Sequence, residues 1–359
     1  MDNLTRMLNL FGTAGKELTC EIALKAGQAF ALAFWEVYGH APKVFLGRDT
    51  RISSDALAAA VTAGLLDFGA DVADLSVLPL PAASYLASKY SMDALILVMG
   101  ENADAYSNEI RFLNRYGCEL EKNLAEKMSA AFSDSAAASA GEKKPFGRLV
   151  YHKAPCEEYV RHLSAKISGS CDGVRIYLDC ANGTVAFTAK AFFTRMEAEC
   201  IMASDVPDGL NLYENSGFLS PALLSENTRK HRCHLGVAFD NTGKKLILSD
   251  ENGTIIEMDK LITGIALALK NSGELNNEKL GIIKEANRGI VTFAHTHGIR
   301  IREATSYQDW ISYAYSNDIG LASDSRDEVL LKDIIPVPDA QAAAAILACA
   351  LSVTDKKLS

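Results

Sequence analysis

The chain has 359 residues, of which 48% are hydrophobic and 23% are charged, a composition typical of globular proteins with room for two or three domains. Its formal net charge is −9 at pH 7, from 36 Lys and Arg against 45 Asp and Glu. A negative field repels phosphate backbones and anionic lipid head groups, so we expect neither a nucleic acid partner nor a membrane partner.

The cysteines indicate a reducing compartment, and the apolar runs are too short to cross a membrane. The eight cysteines are scattered among apolar neighbours and form no C-x-x-C pair. No signal peptide precedes them, so we predict buried, reduced thiols and a cytoplasmic location. The longest weakly polar run, residues 340–353, is shorter than the roughly 20 residues that cross a bilayer. We predict a core helix there.

In the first part of the chain, apolar runs of strand length alternate with segments of helical period. This pattern is typical of a parallel sheet covered by helices. The predicted strands are residues 43–46, 71–77, 94–99 and 109–113. Between the first two lies a predicted helix with Leu57, Val61 and Leu65 on one face. Ser53 or Ser54 is expected to cap it.

The same pattern occurs a second time and a third time. The second set of predicted strands is 174–178, 200–203, 235–239 and 246–249, with a helix at 185–196 and a hairpin turn at 251–253. The third set has a strand from residue 280, a helix near Gly289, then a strand at 299–302, a helix at 307–316 and strands at 319–322 and 329–331.

Three similar units of roughly 100 residues indicate an internally repeated protein. Residues 133–147 are rich in Ala, Ser, Gly, Glu and Lys, which is typical of a solvated linker. We therefore predict an α/β fold of three tandem related domains with mixed sheets. The predicted domains are residues 1–147, 148–257 and 258–359. Because ligands bind beyond the carboxyl ends of strands in such sheets, the candidate loops follow Leu46, Met99, Phe239 and Ala322.

Six short segments carry a family resemblance by their order and spacing. They are FGTAG (11–15), GRDTR (47–51), PLP (79–81), DCANG (179–183), PDGLN (207–211) and LGVAFD (235–240). Together they resemble the α-D-phosphohexomutase family, which includes phosphoglucomutase, phosphomannomutase and phosphoglucosamine mutase. The resemblance implies four domains, three of them related α/β units around a central cleft. It also implies phosphoryl transfer between a phosphoserine and a hexose phosphate, with one magnesium ion beside the phosphoserine.

The phosphoserine loop of the family has the pattern T-A-S-H-N-P, and the matching stretch here is VMGENA (98–103). Gly100 falls at the serine position, with Glu101 and Asn102 as its neighbours. Glycine has no oxygen that could carry a phosphoryl group. We therefore predict that no catalytic residue of the family is intact, and that the nearest hydroxyl, Ser107, is an ordinary loop residue.

The metal loop of the family has the pattern D-G-D-x-D-R, and the matching stretch is DNTGKK (240–245). Asp240 is the one carboxylate left of three, and Lys244 places an ammonium where a cation would sit. We predict no metal site and no cofactor, with magnesium needed only if the chain is an active mutase. Lys244 and Lys245 are candidate ligand-binding residues. Two alternatives stay open for Lys244: it attracts anions in place of the ion, or it is a solvated hairpin lysine.

The sugar loop of the family has the pattern G-E-x-S-G-H, and here it is LASDSRDE (321–328). Ser323, Asp324 and Ser325 are candidates for hydrogen bonds to sugar hydroxyls. The basic position of the family's V-G-x-[RK] turn is occupied by Asp309, and a carboxylate there disfavours a phosphorylated ligand.

The remaining family elements also depart from the pattern. Only nine residues follow Ala350, so we expect the fourth, phosphate-binding domain to be absent from this chain. The segments at 11–15 and 47–51 supply three further ligand-binding candidates, Thr13, Arg48 and Arg51. For the arginines the alternative is a structural role, in which ion pairs with Asp49 lock the loop.

The catalytic elements all depart from the family pattern, and the residues of one catalytic site act as a unit. We therefore predict a non-catalytic phosphohexomutase-like protein of the cytoplasm that binds a sugar phosphate or a protein partner, including a second copy of itself. The surface left by a missing domain favours the protein partner. The alternative is an active phosphohexomutase, an intramolecular phosphotransferase with atypical catalytic residues. Glu101 and Lys244 would then approach each other for acid–base work, or simply form a salt bridge.

Overall fold

A computed structural model describes residues 3–8, 10–100, 104–134, 145–306, 310–354 and 357–358. The chain forms two compact units. The first unit comprises residues 1–156 and 207–212, and the second comprises residues 157–206 and 213–359.

The first unit is built on one mixed sheet. Its strands are β1 (Phe11–Thr13), β2 (Lys43–Arg48), β3 (Asp71–Val77), β4 (Ala94–Met99), β5 (Ser107–Asn114) and β6 (Leu149–Tyr151), and their order is β1-β5-β4-β2-β3-β6. Strand β2 is parallel to β3 and β4, whereas β5 is antiparallel to β4. Every residue of β4 is buried, as expected for an apolar strand covered on both faces. Because β6 pairs with β3, this sheet extends past the predicted boundary at residue 147.

The helices of the first unit are α1 (Asn3–Met7), α2 (Cys20–Tyr38), α3 (Ile52–Asp67), α4 (Leu80–Lys89) and α5 (Lys122–Ser133). Helix α2 begins where the Thr19 hydroxyl accepts a hydrogen bond from the Ile22 N–H, and it ends at the left-handed Gly39. Helices α2 and α3 approach closely at Gly64. A Cβ added there would lie 2.0 Å from the carbonyl oxygen of Leu24. Only glycine allows this contact between the two backbones.

The predicted cap of α3 at Ser53 or Ser54 is wrong. The helix begins at Ile52, after an extended Arg51, so both serines lie inside its first turn. The Ser54 hydroxyl instead donates a 2.5 Å hydrogen bond to the carboxylate of Asp49. A buried carboxylate needs hydrogen-bond donors, and the Ser54 hydroxyl is one of the donors to Asp49.

The second unit contains two mixed sheets. The strands of the first are β7 (Arg175–Asp179), β8 (Glu199–Ala203), β9 (Leu235–Phe239), β10 (Leu246–Ser249) and β11 (Ile255–Ile256), in the order β11-β10-β9-β7-β8. The strands of the other are β12 (Lys279–Ile283), β13 (Arg300–Ala304), β14 (Leu321–Ser323) and β15 (Val329–Leu331), in the order β13-β12-β14-β15. The hairpin predicted at 251–253 is present between β10 and β11.

The remaining helices are α6 (Pro155–Lys166), α7 (Ala189–Arg195), α8 (Pro221–Lys230), α9 (Met258–Asn271), α10 (Arg288–Thr296), α11 (Trp310–Ser316) and α12 (Ala340–Thr354). The helix predicted at 185–196 is split, because a 3-10 turn at Thr184–Phe187 precedes α7. Helix α12 is the predicted core helix. Asp339 caps it by accepting the Ala342 N–H, and the Tyr159 hydroxyl donates to the same carboxylate. Burial raises the pKa of Asp339 to about 6.

Three mixed sheets flanked by helices confirm the predicted α/β fold class. The predicted domain boundaries stay a prediction. Across the described part of the chain, no helix combines the length and the apolar character needed to cross a bilayer.

Candidate functional site

A cavity of about 570 Å³ lies at one edge of the third sheet, within the second unit. Strands β12, β13 and β14 are parallel, so their carboxyl ends meet at the same edge. The loops that follow them line the cavity with Glu285, Asn287, Thr305, Ser306, Ser325 and Arg326. Small-molecule sites in α/β proteins occupy this place, and their volumes are roughly 300–1,000 Å³. The cavity is therefore our candidate binding site.

The loop after β14 owes its shape to Asp324. One carboxylate oxygen of this buried residue accepts the backbone N–H groups of Arg326 at 3.0 Å, Asp327 at 3.2 Å and Glu328 at 3.0 Å. The hydroxyl of buried Ser323 accepts the Ser325 N–H at 2.9 Å. Burial raises the pKa of Asp324. Ser323 and Asp324 thus hold the loop, and Ser325 and Arg326 line the cavity.

Two features of this cavity give it a mixed electrostatic character. The guanidinium of Arg326 supplies positive charge. The amino end of α10 supplies partial positive charge, because Asn287 both lines the cavity and caps that helix by accepting the Gly289 N–H. Glu285 and Asp259 supply carboxylates. Sequence reasoning missed Arg326, although it directly follows the predicted Ser325. An arginine beside loop hydroxyls in the sugar loop was the available signal.

The predicted metal loop and sugar loop meet within the second unit. Lys245 and Glu328 form an isolated antiparallel bridge between them. The ammonium of Lys244 lies 2.8 Å from Glu328 Oε1, and the two side chains are 15% and 7% exposed. Lys244 is therefore not a solvated lysine, and its charge is matched by a carboxylate. Lys245 lies 3.8 Å from the Asp327 carboxylate, whose pKa burial raises to about 6.

Asp240 is buried and its carboxylate is bound by its own loop. One oxygen accepts the Thr242 N–H at 3.1 Å and the Thr242 hydroxyl at 2.5 Å, and the other accepts the Lys245 N–H at 2.9 Å. Burial raises the pKa of Asp240. The described residues include no group of three or more His, Cys, Asp or Glu placed to hold a metal ion. One such carboxylate beside the Lys244 ammonium does not fit a resident magnesium ion.

Replacing Lys244 by alanine should lower the free energy of unfolding by about 2 kcal/mol, because it leaves the Glu328 carboxylate buried without the ammonium. Urea denaturation of the whole chain measures this loss. The matched control is Lys245→Ala, which removes a longer and more exposed ion pair and should cost less than about 1 kcal/mol. Equal losses for the two variants would contradict the assignment.

In the first unit, a buried ion pair joins the loops after β2 and β4. Arg51 pairs with Asp49, and both side chains are fully buried. Arg51 also donates to the carbonyl oxygens of Gly100 at 3.0 Å and Asp104 at 3.2 Å. The Gly100 N–H in turn donates to Asp49 at 3.1 Å. This guanidinium is directed to the protein itself, in line with the structural alternative for Arg51.

The other two candidates of the first unit also have partners inside the protein. Arg48 lies 2.5 Å from the Asp55 carboxylate and 3.0 Å from that of Asp74. The backbone N–H of Thr13 donates to the Glu17 carboxylate at 2.8 Å. Neither residue lines the cavity of the second unit.

Position 100 has no room for a side chain. A Cβ on Gly100 would lie 2.6 Å from the carbonyl oxygen of Ser107 and 3.3 Å from Cζ of Arg51. A serine would therefore require this loop to shift. Ser107 itself begins β5. Glu101, Asn102 and Asp309 lie outside the described residues, and so does the predicted approach of Glu101 to Lys244.

Comparisons with known proteins identify the family. The model for phosphoglucomutase/phosphomannomutase, alpha/beta/alpha domain I, matches residues 9–138. The phosphoglucosamine mutase of Acetivibrio thermocellus is 32% identical over 293 residues, which cover 81% of this chain and 65% of that protein. The chain belongs to the α-D-phosphohexomutase family. The phosphoglucosamine mutase of Clostridium perfringens strain 13 is 34% identical over 297 residues, covering 79% of this chain and 65% of its own length.

This phosphohexomutase-family chain thus spans just under two thirds of the curated relatives it matches. Among solved structures, a phosphoglucomutase/phosphomannomutase family protein from Burkholderia thailandensis has a TM-score of 0.82 at 19% identity, over 99% of this chain and 78% of that one. The N-acetylphosphoglucosamine mutase of Aspergillus fumigatus, in complex with GlcNAc-6P and magnesium, has a TM-score of 0.53 at 11% identity, over 88% and 60%. These likenesses confirm the fold.

Proposed function

We propose that the chain binds a hexose phosphate, and specifically an aminohexose phosphate, at the carboxyl edge of the third sheet. The observation that carries this proposal is the cavity of about 570 Å³ with Arg326 in its lining. A guanidinium binds phosphate oxygens through paired, charge-assisted hydrogen bonds. Ser306 and Ser325 supply hydroxyls for a sugar ring.

The amino group is suggested by two independent features. Asp259 and Glu285 line the same cavity as Arg326, and a carboxylate is a partner for the ammonium of an aminosugar. The relatives that are 32% and 34% identical are phosphoglucosamine mutases. The phosphate of such a ligand matches the Arg326 guanidinium, and its ammonium matches the carboxylates of Asp259 and Glu285.

We further propose that the chain does not transfer phosphoryl groups by the serine and magnesium route of the family. Two observations support this: position 100 lacks both an oxygen and the room for one, and the Asp240 loop does not fit magnesium. The alternative is an active phosphohexomutase with atypical catalytic residues. The identity with phosphoglucosamine mutases favours that alternative. The predicted protein partner or second copy, and the cytoplasmic location, stay predictions.

Isothermal titration of the full chain with glucosamine 6-phosphate tests the binding site. We expect binding without magnesium, and a 10- to 100-fold weaker affinity, roughly, in the Arg326→Ala variant, because a charge-assisted hydrogen bond is lost. The matched control is Arg161→Ala, which removes an exposed arginine from α6. Unchanged binding by Arg326→Ala would exclude this cavity. Binding that requires magnesium would contradict our account of the Asp240 loop.

A further inference from the structure

Two thiols face each other in the interior of the second unit. The sulfur atoms of Cys171 and Cys349 are 3.5 Å apart, although the residues are 178 positions apart in sequence. Cys171 lies between α6 and β7, and Cys349 lies on α12. Both are buried. The cysteines were predicted to be buried, reduced thiols, and these two also lie close enough to react with each other.

The backbone on both sides of the pair is held in place. The Cys171 N–H donates to the Met196 carbonyl at 2.7 Å, and its carbonyl accepts the Val174 N–H at 3.0 Å. Near the end of α12, the Ser352 hydroxyl donates to the Asp172 carbonyl at 2.9 Å. The sulfurs thus need to approach by about 1.5 Å to reach the disulfide bond length of about 2.05 Å. Because the backbone is held, rotation of the two side chains has to supply this movement.

A cavity leads to one of the two thiols. Its volume is about 410 Å³, and Gly169, Leu275, Ile346 and Cys349 are among its lining residues. A Cβ added to Gly169 would lie 3.4 Å from the Cβ of Cys349, so the glycine leaves the space beside the thiol open. Cys171 is fully buried behind it. A small oxidant therefore meets Cys349 first.

The cavity gives the two thiols different roles. The sulfurs are within hydrogen-bond distance of each other, and either one can be the donor. The thiolate is the nucleophile in thiol–disulfide exchange. Because Cys349 lines the cavity and Cys171 does not, Cys349 is the attacking sulfur and Cys171 the resolving one.

We propose that Cys171 and Cys349 form a thiol–disulfide site that is oxidised by small-molecule disulfides. Cys349 first loses its proton to water, and its thiolate attacks one sulfur of the small disulfide, which forms a mixed disulfide and releases one small thiolate. That thiolate takes the proton of Cys171, whose sulfur then attacks the sulfur of Cys349 and releases the second small thiolate, which is protonated by water. Two protein thiols and one small disulfide become one protein disulfide and two small thiols.

The disulfide would connect α12 to the segment before β7. It closes a loop of the chain that includes every strand of the second and third sheets. A cross-link over so long a loop restricts the unfolded state strongly. The oxidised second unit should therefore unfold at a higher temperature than the reduced one, and dithiothreitol should reverse the change.

Peptide mapping of the full chain after treatment with oxidised glutathione tests the site. Free thiols are blocked and the protein is digested without reductant. We expect Cys171 and Cys349 to escape blocking, and a peptide joined through them with a mass about 2 Da below the sum of its two parts. Cys349→Ser should lack this peptide and the rise in melting temperature. Cys233→Ala, the control, should keep both.

Three results would overturn the proposal. One is blocking of both Cys171 and Cys349 after oxidation, which would show that neither was oxidised. Another is a cross-link that joins other cysteines. The third is a stable glutathione adduct on Cys349 that Cys171 does not displace. The map of the unaltered chain decides among these outcomes, so a variant that fails to fold does not affect the test.

Discussion

Replacing Arg51 by methionine is expected to lower the free energy of unfolding of the first unit by about 3–5 kcal/mol, since it leaves a fully buried carboxylate without its partner. The guanidinium also donates to the carbonyl oxygens of Gly100 and Asp104, so the variant loses two further hydrogen bonds between the loops after β2 and β4. Chemical denaturation, monitored by probes in the first unit, measures the effect.

Two controls separate the buried charge from the lost volume. Arg48→Met removes an arginine that is still partly exposed and should cost about 1 kcal/mol. The double variant Asp49→Asn with Arg51→Met removes both charges and should recover part of the loss. A single Arg51 variant as stable as the Arg48 variant would show that the buried pair does not hold these loops.

The second prediction with a large expected effect is the loss of mutase catalysis by the family route. Phosphoryl transfer by the family route needs an oxygen nucleophile and a metal ion to stabilise the transferring group. The loop at Gly100 offers no oxygen at that position, and the carboxylate of Asp240 is bound by its own loop. Enzymes commonly accelerate their reactions by 10⁶-fold or more, roughly, and the residues of one catalytic unit do not substitute for each other. We therefore expect no measurable mutase turnover.

Strands and the core helix α12 could be predicted from local sequence patterns. The apolar run at 94–99 predicted β4 to the residue, because a strand buried on both faces needs apolar side chains throughout. The weakly polar run at 340–353 likewise predicted α12. The start of α3 was harder to predict, because the Ser54 hydroxyl donates to the buried carboxylate of Asp49 and the helix begins before it, at Ile52. Local propensity contains no information about that carboxylate.

The site was less accessible to sequence reasoning because its contacts are long-range. Lys244 and Glu328 are 84 residues apart, and no local pattern pairs them. Asp324 was expected to contact sugar, yet it accepts three N–H groups of its own loop. Asp and Asn commonly make such local hydrogen bonds in turns, so this role was predictable from the residue type. The lining role of Arg326 required the parallel pairing of β12 with β14.

The most direct test of the central claim is phosphorus NMR of glucosamine 6-phosphate incubated with the full chain, magnesium and a hexose bisphosphate activator. The phosphoglucosamine mutase of Acetivibrio thermocellus serves as the positive control under the same conditions. Our account predicts a growing signal of glucosamine 1-phosphate with the control enzyme and none with this chain, although titration shows that the ligand binds. Formation of the 1-phosphate by this chain, abolished when the protein is omitted, would contradict the account and establish an active mutase with atypical residues.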